Sequence, residues 1–417
     1  MYGHGRVWTD QQWGAQFALY GLYVLGGHPL LGVADAVVVV TAFGLAMFGA
    51  RALGGGPRAI WALWLPVLLA APWAWTIRAQ LLSLPLYTGL LWLLAAEARR
   101  PTRRVYLAFP ILVVWANVHG SVALGAMLTM LLGAIELVVR RGHGWWRAVV
   151  LILVPPLCVL ATPYGPVTTA RYYYTLLVDP PFDHQVTEWI WSKPAGSTAV
   201  FYFLAALAVP LVVWGRRRLR FFDIAVLALT LAGAIEAIRG IPWFALACML
   251  FLPVAVGKAL ESRKPAPPRR GFNTVLAIVA TGAVAVLVVV SLARPSSWYE
   301  SNWKPAPAEA VRRALRPGMR VYAPDVYADW LLWKIPALRG RLAYDVRFEI
   351  YTKQFFQQEL RYNGEYGRNW KSVANGYRIV VVDEGERSHT ADFLAERGAR
   401  LVYHDKDVSV ILRAPGA

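Results

Sequence analysis

Two runs, LLGVADAVVVVTAFGLAMFGA at 30–50 and NTVLAIVATGAVAVLVVVSLA at 273–293, are almost unbroken apolar stretches. About 20 apolar residues in a helix span the hydrocarbon core of a bilayer, and only helices or closed barrels satisfy their own backbone there. These runs exclude a soluble globule built on one core. Composition agrees, with 57% hydrophobic and 16% charged residues, against about 25% charged in a soluble domain. Ten apolar stretches can be read, near 30–50, 59–76, 80–97, 105–118, 120–139, 148–163, 197–214, 222–238, 241–257 and 272–292. After residue 293 the pattern turns soluble. The expected fold is a polytopic α-helical membrane protein of about ten transmembrane helices with a C-terminal α/β domain outside the membrane. The expected division is 1–27 (outer-loop remnant and interfacial helix), 28–293 (membrane domain) and 294–417 (extracytoplasmic α/β domain). The first 27 residues lack the basic-then-apolar order of a cleaved signal peptide.

A net charge of +18 would point to nucleic acid in a soluble protein. In a multispan chain it reads instead as loop bias, because Lys and Arg collect on the cytoplasmic side. Eighteen basic residues fall in one set of loops: 51–58, 99–104, 140–147, 216–220 and 258–270. The opposite loops and the N-terminus hold five, Arg6, Arg78, Arg171, Lys193 and Arg239. The first set is expected to be cytoplasmic, and the N-terminus, the 164–196 loop and the C-terminal domain to lie outside. No nucleic-acid partner is expected. Cys158 and Cys248 both fall inside apolar stretches, so neither a disulfide nor a metal site is indicated.

In the C-terminal part, strand-like runs at 319–324, 341–346, 377–384, 400–405 and 408–413 alternate with helical patterns. Such alternation favours a mixed or parallel sheet covered by helices. No glycine-rich phosphate loop opens any of these helices, and no cofactor is expected.

Polar groups at membrane depth are expensive, which makes them functional candidates. TIRAQLLSLPLY puts Arg78 and Gln80 at one membrane edge, and WANVHGS puts Asn117, His119 and Gly120 in a tight turn on the same side. AIEAIRGIPW adds Glu236 and Arg239, and the loop VDPPFDHQVTEWIWSKP adds Asp179, Asp183, His184 and Glu188. Each has a plainer reading. Glu236 and Arg239 at i, i+3 suit an ion pair at a helix end. Arg78 suits snorkelling to headgroups, His119 suits a turn, and Asp35 suits a hydrogen bond to a neighbouring helix. Glu97 and Glu136 are expected to be solvated at cytoplasmic helix ends.

Several segments, in order, match a known group. WTDQQWGAQFALYGLYVLGG resembles the bacterial W-x-x-[HQ]-[EQ]-W segment of large multispan glycosyltransferases of the GT-C superfamily, which use polyprenyl-phosphate-linked sugars. RAQLLSLPLY is similar to their R-x-Q-L-x-[ST]-Y, and WANVHGSVALG to their W-x-N-x-H-G-x-x-x-G. PYG with VTEWIWSKP, RGIPWFALA, and VYADWLLWKIP followed by RLAYDVRFEIY resemble further stretches of the same group. The likeness runs over nearly the whole chain, and its specificity lies in the order of motifs, each weak alone. It implies a transferase of the bacterial plasma membrane acting on the extracytoplasmic face, with a glycan, lipid or protein acceptor. Arg78, Gln80, His119 and Arg239 would then bind the donor phosphate, a carboxylate of the first outer loop would act as base, and Asp183, His184 and Glu188 would line the acceptor entrance.

The chain departs from the group at its start. Relatives carry the key carboxylate in a loop after a first span, whereas here only nine residues precede Asp10, and Gln12 stands where many have Glu. Asp10 is thus the candidate base, with an upstream Asp ahead of Met1, or an inactive chain, as alternatives. Two other function classes remain open at this point: a non-catalytic scaffold derived from the family, and a transporter or flippase of a polar solute. Transporters place ionisable groups near the midplane and often show inverted repeats; neither feature is evident here.

Overall fold

The computed structural model describes residues 8–71, 76–139, 145–180, 189–260, 270–301, 303–385 and 389–415. They form two compact units: one takes the described parts of 9–173 and 187–296, the other those of 1–8, 174–186 and 297–417.

The first unit is helical. Its elements are α1 (Trp13–Ala52), α2 (Pro57–Leu69), α3 (Ser83–Arg99), α4 (Ala108–Ala116), α5 (Val122–Val139), α6 (Trp145–Val159), α7 (Pro166–Leu177) as far as Tyr173, α8 (Ala199–Gly215), α9 (Phe221–Glu236), α10 (Ile241–Val256) and α11 (Arg270–Ala293). Among the described residues, five helical stretches are long and apolar enough to cross a membrane: Trp13–Ala52, Ala79–Arg99, Val122–Val139, Gly196–Gly215 and Ile238–Val256. Pro57–Leu69, Trp145–Val159 and Thr281–Ala293 are shorter apolar helices. The chain is thus a membrane-embedded helical protein. Its outward side chains agree, with Phe48, Trp61 and Phe203 all exposed, a surface that suits lipid and not water.

Local sequence explains the shapes. α1 is broken at Gly26–Gly27, where Gly27 takes φ 63°, ψ −159°, a backbone region open essentially to glycine. Residues 13–25 therefore form a separate helical arm ahead of the apolar 28–52 rod. α10 is buried at every position from Ile241 to Val256 and packs against α1, α2, α3, α8 and α9. A helix apolar on all sides belongs in such a centre. Near its start, Tyr87, Trp115 and Trp243 interlock, with the Tyr87 hydroxyl donating to the Trp243 carbonyl at 3.0 Å. Cys158 and Cys248 are buried free thiols.

In this unit four readings need correction. Glu97 and Glu136 are buried, not solvated, because Arg147 bridges them at 2.9 and 2.8 Å. Glu236 and Arg239 do not share a helix: α9 ends at Glu236, Ala237 is extended (φ −144°, ψ 132°), and Arg239 sits in a separate 3-10 turn. Part of the 164–196 loop is the amphipathic helix α7. Asp35 keeps a buried Oδ1 with no hydrogen-bond partner among the described residues.

The second unit contains α12 (Ser296–Tyr299) in part, then α13 (Pro305–Ala314), α14 (Asp325–Lys334), α15 (Lys353–Gly364) and α16 (Thr390–Leu394). Its strands are β1 (Val321–Tyr322), β2 (Ile379–Asp383), β3 (Arg400–His404) and β4 (Val408–Leu412), in the order β1-β2-β4-β3. β1 runs parallel to β2, while β4 is antiparallel to both β2 and β3. The run at 341–346 is not a strand; it contributes one bridge, Leu342 to Val321. Val311, Val321, Leu331, Val381 and Val410 fill the core on one side of the sheet. Elsewhere in this unit the Glu359 carboxyl accepts from the Tyr322 and Tyr344 hydroxyls at 2.9 and 3.2 Å. The Trp8 indole donates to Glu349 at 2.6 Å under the Arg347 guanidinium, and Lys353 pairs with Asp179.

Candidate functional site

The site is built on the WANVHGS turn. α4 ends at Ala116, and the backbone N–H groups of Val118 and His119 both reach the Trp115 carbonyl at 3.0 Å. That closure turns the chain sharply, so that α5 begins at Val122. Gly120 lets the Tyr172 hydroxyl pack closely against the turn: a Cβ there would stand 3.2 Å from it.

The opening segment is fastened onto this turn. The Gln11 side-chain amide donates to the Ala116 carbonyl at 2.7 Å and to the Tyr173 hydroxyl at 3.1 Å. The Trp13 indole donates to Asn117 Oδ1 at 3.0 Å, and the Gly14 N–H to the Asn117 carbonyl at 3.0 Å. Asn117 completes the joint by donating to the Val113 and Ala161 carbonyls, each at 2.9 Å. Gly14 is required here, since a Cβ would lie 2.5 Å from the Asn117 carbonyl oxygen.

These bonds place Asp10 at the root of α1. Its Oδ1 accepts from the Gln12 N–H at 3.1 Å and the Gln16 amide at 3.2 Å. Partial burial raises its carboxyl above the usual range, opposed by the Gln12 hydrogen bond. The Tyr164 hydroxyl meets the Asp10 backbone and feels its charge.

Arg78, Gln80, His119 and Arg239 come from three separate segments and converge. The Gln80 amide donates to the Arg239 carbonyl at 3.3 Å. The Arg239 guanidinium lies 4.4 Å over the Trp189 ring, close enough to Arg78 for the two charges to oppose each other and near the Tyr172 hydroxyl. Burial pulls Arg78 below its ordinary value.

His119 is buried and holds an assigned state. Its Nδ1 accepts from the Ser121 N–H at 3.0 Å and lies 2.8 Å from Ser121 Oγ. Burial, and then the Arg239 charge, push it down to about 3. The ring is therefore neutral with its proton on Nε2, a donor near the Arg239 guanidinium. The Trp115 indole and Ser83 brace Ser121 from behind, at 3.1 and 3.3 Å.

Asp183, His184 and Glu188 lie outside the described residues. Sequence reasoning passed over Gln11, Ser121, Tyr172, Tyr173 and Trp189. Their common signal is polar or aromatic character beside the singled-out motifs, as in the RYYY run of α7. Elsewhere, Glu365, His389 and Asp392 of the second unit each bring one donor atom within 4.8 Å of the others. There His389 Nδ1 is 3.2 Å from Glu365 Oε1, a pair that fastens the loop before α16 to the end of α15.

Two like charges side by side with a neutral imidazole donor make a cluster that favours an anion, and the Asp10 carboxylate on the docked segment is a proton acceptor of raised pKa. No protein-family model and no curated protein matches the chain. Among solved structures it is similar to ArnT from Cupriavidus metallidurans, crystallised bound to undecaprenyl phosphate. That match has 17% sequence identity and a TM-score of 0.45, covering 96% of this chain and 87% of that one.

Proposed function

We propose that the chain is an integral membrane glycosyltransferase that moves a sugar from a polyprenyl-phosphate donor to a glycan, lipid or protein acceptor on the extracytoplasmic face of a bacterial plasma membrane. The observation that carries this reading is the convergence of Arg78 and Arg239, with neutral His119, beside the docked loop of Asp10.

The chemistry asks for this division of labour. As the bond from sugar to phosphate breaks, the polyprenyl phosphate leaves with the electron pair, and its growing charge falls between Arg78 and Arg239. The His119 Nε2–H adds a hydrogen bond to the same group. Preorganised cations and donors at a leaving phosphate lower the barrier because they need no reorganisation. The acceptor oxygen forms the new bond at the anomeric carbon while Asp10 takes its proton. A carboxylate raised toward neutral pH suits that role better than an ordinary one. Gln80 positions Arg239 through its backbone, and Asp183, His184 and Glu188 are assigned to the acceptor entrance. The lower positive charge of the loops on this side supports a site and a C-terminal domain outside the cytoplasm.

Arg78→Ala and Arg239→Ala are each expected to lower transfer from a polyprenyl-phosphate sugar by about 100-fold or more, with normal membrane insertion. Unchanged transfer in both would contradict the assignment. One observation favours a second reading, a non-catalytic scaffold: Asp10 Oδ1 is already occupied by Gln12 and Gln16, as in a helix-start bond. Asp10→Asn separates the two readings, because a purely structural Asp10 leaves transfer intact.

A further inference from the structure

α10 runs 16 residues, from Ile241 close to Arg239 to Val256, so its two ends lie about 24 Å apart. The far end gathers three basic loops. Gly55, between α1 and α2, packs on the last turn of α10, where a Cβ would come 3.1 Å from Pro253 Cβ. Gly215, at the end of α8, packs on Ala255, where a Cβ would come within 2.5 Å. The Arg218 guanidinium donates to the Ala255 carbonyl at 3.0 Å and lies 5.3 Å over the Trp214 ring. Arg58 donates to the Leu260 carbonyl at 3.0 Å. The last carbonyls of a helix lack intrahelical partners and favour cations. Around this joint Arg51, Arg216, Arg217, Arg218, Arg220 and Lys258 are exposed. None of the six forms an ion pair among the described residues. The stretches 51–58 and 216–220 contain no Asp or Glu, and Asp223 just beyond is held by Arg99 at 3.0 and 2.6 Å.

An excess of positive charge on one side is common to multispan chains, but that bias asks only for a side. It does not ask that three loops be tied to one helix end. The rim of the cluster adds a second observation: Trp61, Trp214 and Phe221 are 65%, 56% and 69% exposed. Trp61 follows Arg58 by three residues, and Trp214 and Phe221 flank the 215–220 loop. Exposed aromatics beside cations mark the level where acyl chains meet headgroups. We propose that this end of the helical unit is a binding surface for an anionic phospholipid of the surrounding bilayer. Its phosphodiester sits among Arg216, Arg217, Arg220 and Lys258, and its acyl chains lie along Trp61 and Trp214. An anion relieves the mutual repulsion of cations that have no acidic partner. A lipid, unlike a soluble anion, also covers the aromatic rim. The surface lies at the opposite end of α10 from the Arg239 cluster and does not depend on the transferase reading.

The test is native mass spectrometry of the purified full chain in detergent, offered equal amounts of phosphatidylcholine and phosphatidylglycerol with identical acyl chains. The wild type is expected to retain phosphatidylglycerol at least about tenfold more than phosphatidylcholine. Two variants remove charge from different loops of the cluster, so that misfolding of one leaves the other to decide: Arg216→Gln/Arg217→Gln/Arg220→Gln and Arg51→Gln/Lys258→Gln. Each folded variant is expected to lower that preference by about fivefold or more. Arg103→Gln/Arg104→Gln removes two exposed charges from the turn that packs on α3 and α4, and should keep the wild-type preference. A wild type that retains both lipids alike overturns the inference, as does a folded cluster variant that keeps the full preference. A control that loses as much as the cluster variants assigns the effect to total loop charge, and overturns it too.

Discussion

At the scale of single residues, burial decides which polar groups matter. Arg78, Gln80, His119 and Arg239 could be singled out in the sequence because charged and amide side chains are scarce along an apolar chain, so each one invites a reason. Gln11 could not, since nothing local says that an amide between two tryptophans will be buried against a turn more than 100 positions away. Glu359 is a second case. It looks like one of many charges on the QQEL helix, yet it lies among Tyr322, Tyr344 and Tyr362, and burial pushes its carboxyl up to about 8. In the unfolded chain it titrates near 4.5, so between those values the folded unit holds a proton that the unfolded chain has released. Stability of this unit should therefore fall as pH rises from about 4.5 through about 8, by at most about 1.4 kcal/mol per pH unit. Glu359→Gln keeps an acceptor for the tyrosines and should flatten that dependence. Hydrogen exchange of the β2 amides in the full chain, measured across this range, checks it; a variant as pH-sensitive as wild type would contradict the assignment.

At the scale of elements, hydropathy located the helices because lipid imposes one simple demand on them. All ten apolar stretches are helical in their described centres, while five helical stretches among the described residues are long and apolar enough to cross a membrane unaided. α7 escaped notice because its pattern is amphipathic, and the 341–346 run looked like a strand because its alternation is real but meets one backbone partner. The polar helix ends were misread for a different reason. Glu97 ends up buried because Arg147 and Thr102 satisfy it, at 2.9 Å and 2.6 Å, and no local signal announces a partner 50 residues on. Arg99 holds Asp223 in the same way, with two bonds of 3.0 and 2.6 Å. Removing one member of a buried pair strands the other's charge. Arg147→Met leaves two buried carboxylates facing each other and should destabilise the helical unit by about 3–5 kcal/mol. A thermal unfolding midpoint within a degree of wild type would show that these carboxylates are solvated after all.

At the scale of the whole molecule, the chain divides its tasks between a helical unit that gathers the charged cluster and a sheet-bearing unit with its own core. The order of motifs along the sequence carried the functional reading, since order reflects which loops emerge on one side of a membrane. It could not show that the opening segment is riveted to the WANVHGS turn through Gln11, Trp13 and Gly14, because those bonds depend on tertiary packing. That rivet holds the segment from Asp10 to Gly14 against the turn that carries His119. The most direct measurement is sugar transfer by the purified full chain in proteoliposomes, with a labelled polyprenyl-phosphate sugar and release of polyprenyl phosphate followed in parallel. The account expects wild type to release lipid phosphate in step with transferred sugar, and Arg239→Ala and Asp10→Asn each to lose both by about 100-fold. Wild-type protein that binds the donor yet releases no lipid phosphate, or variants as active as wild type, would contradict it.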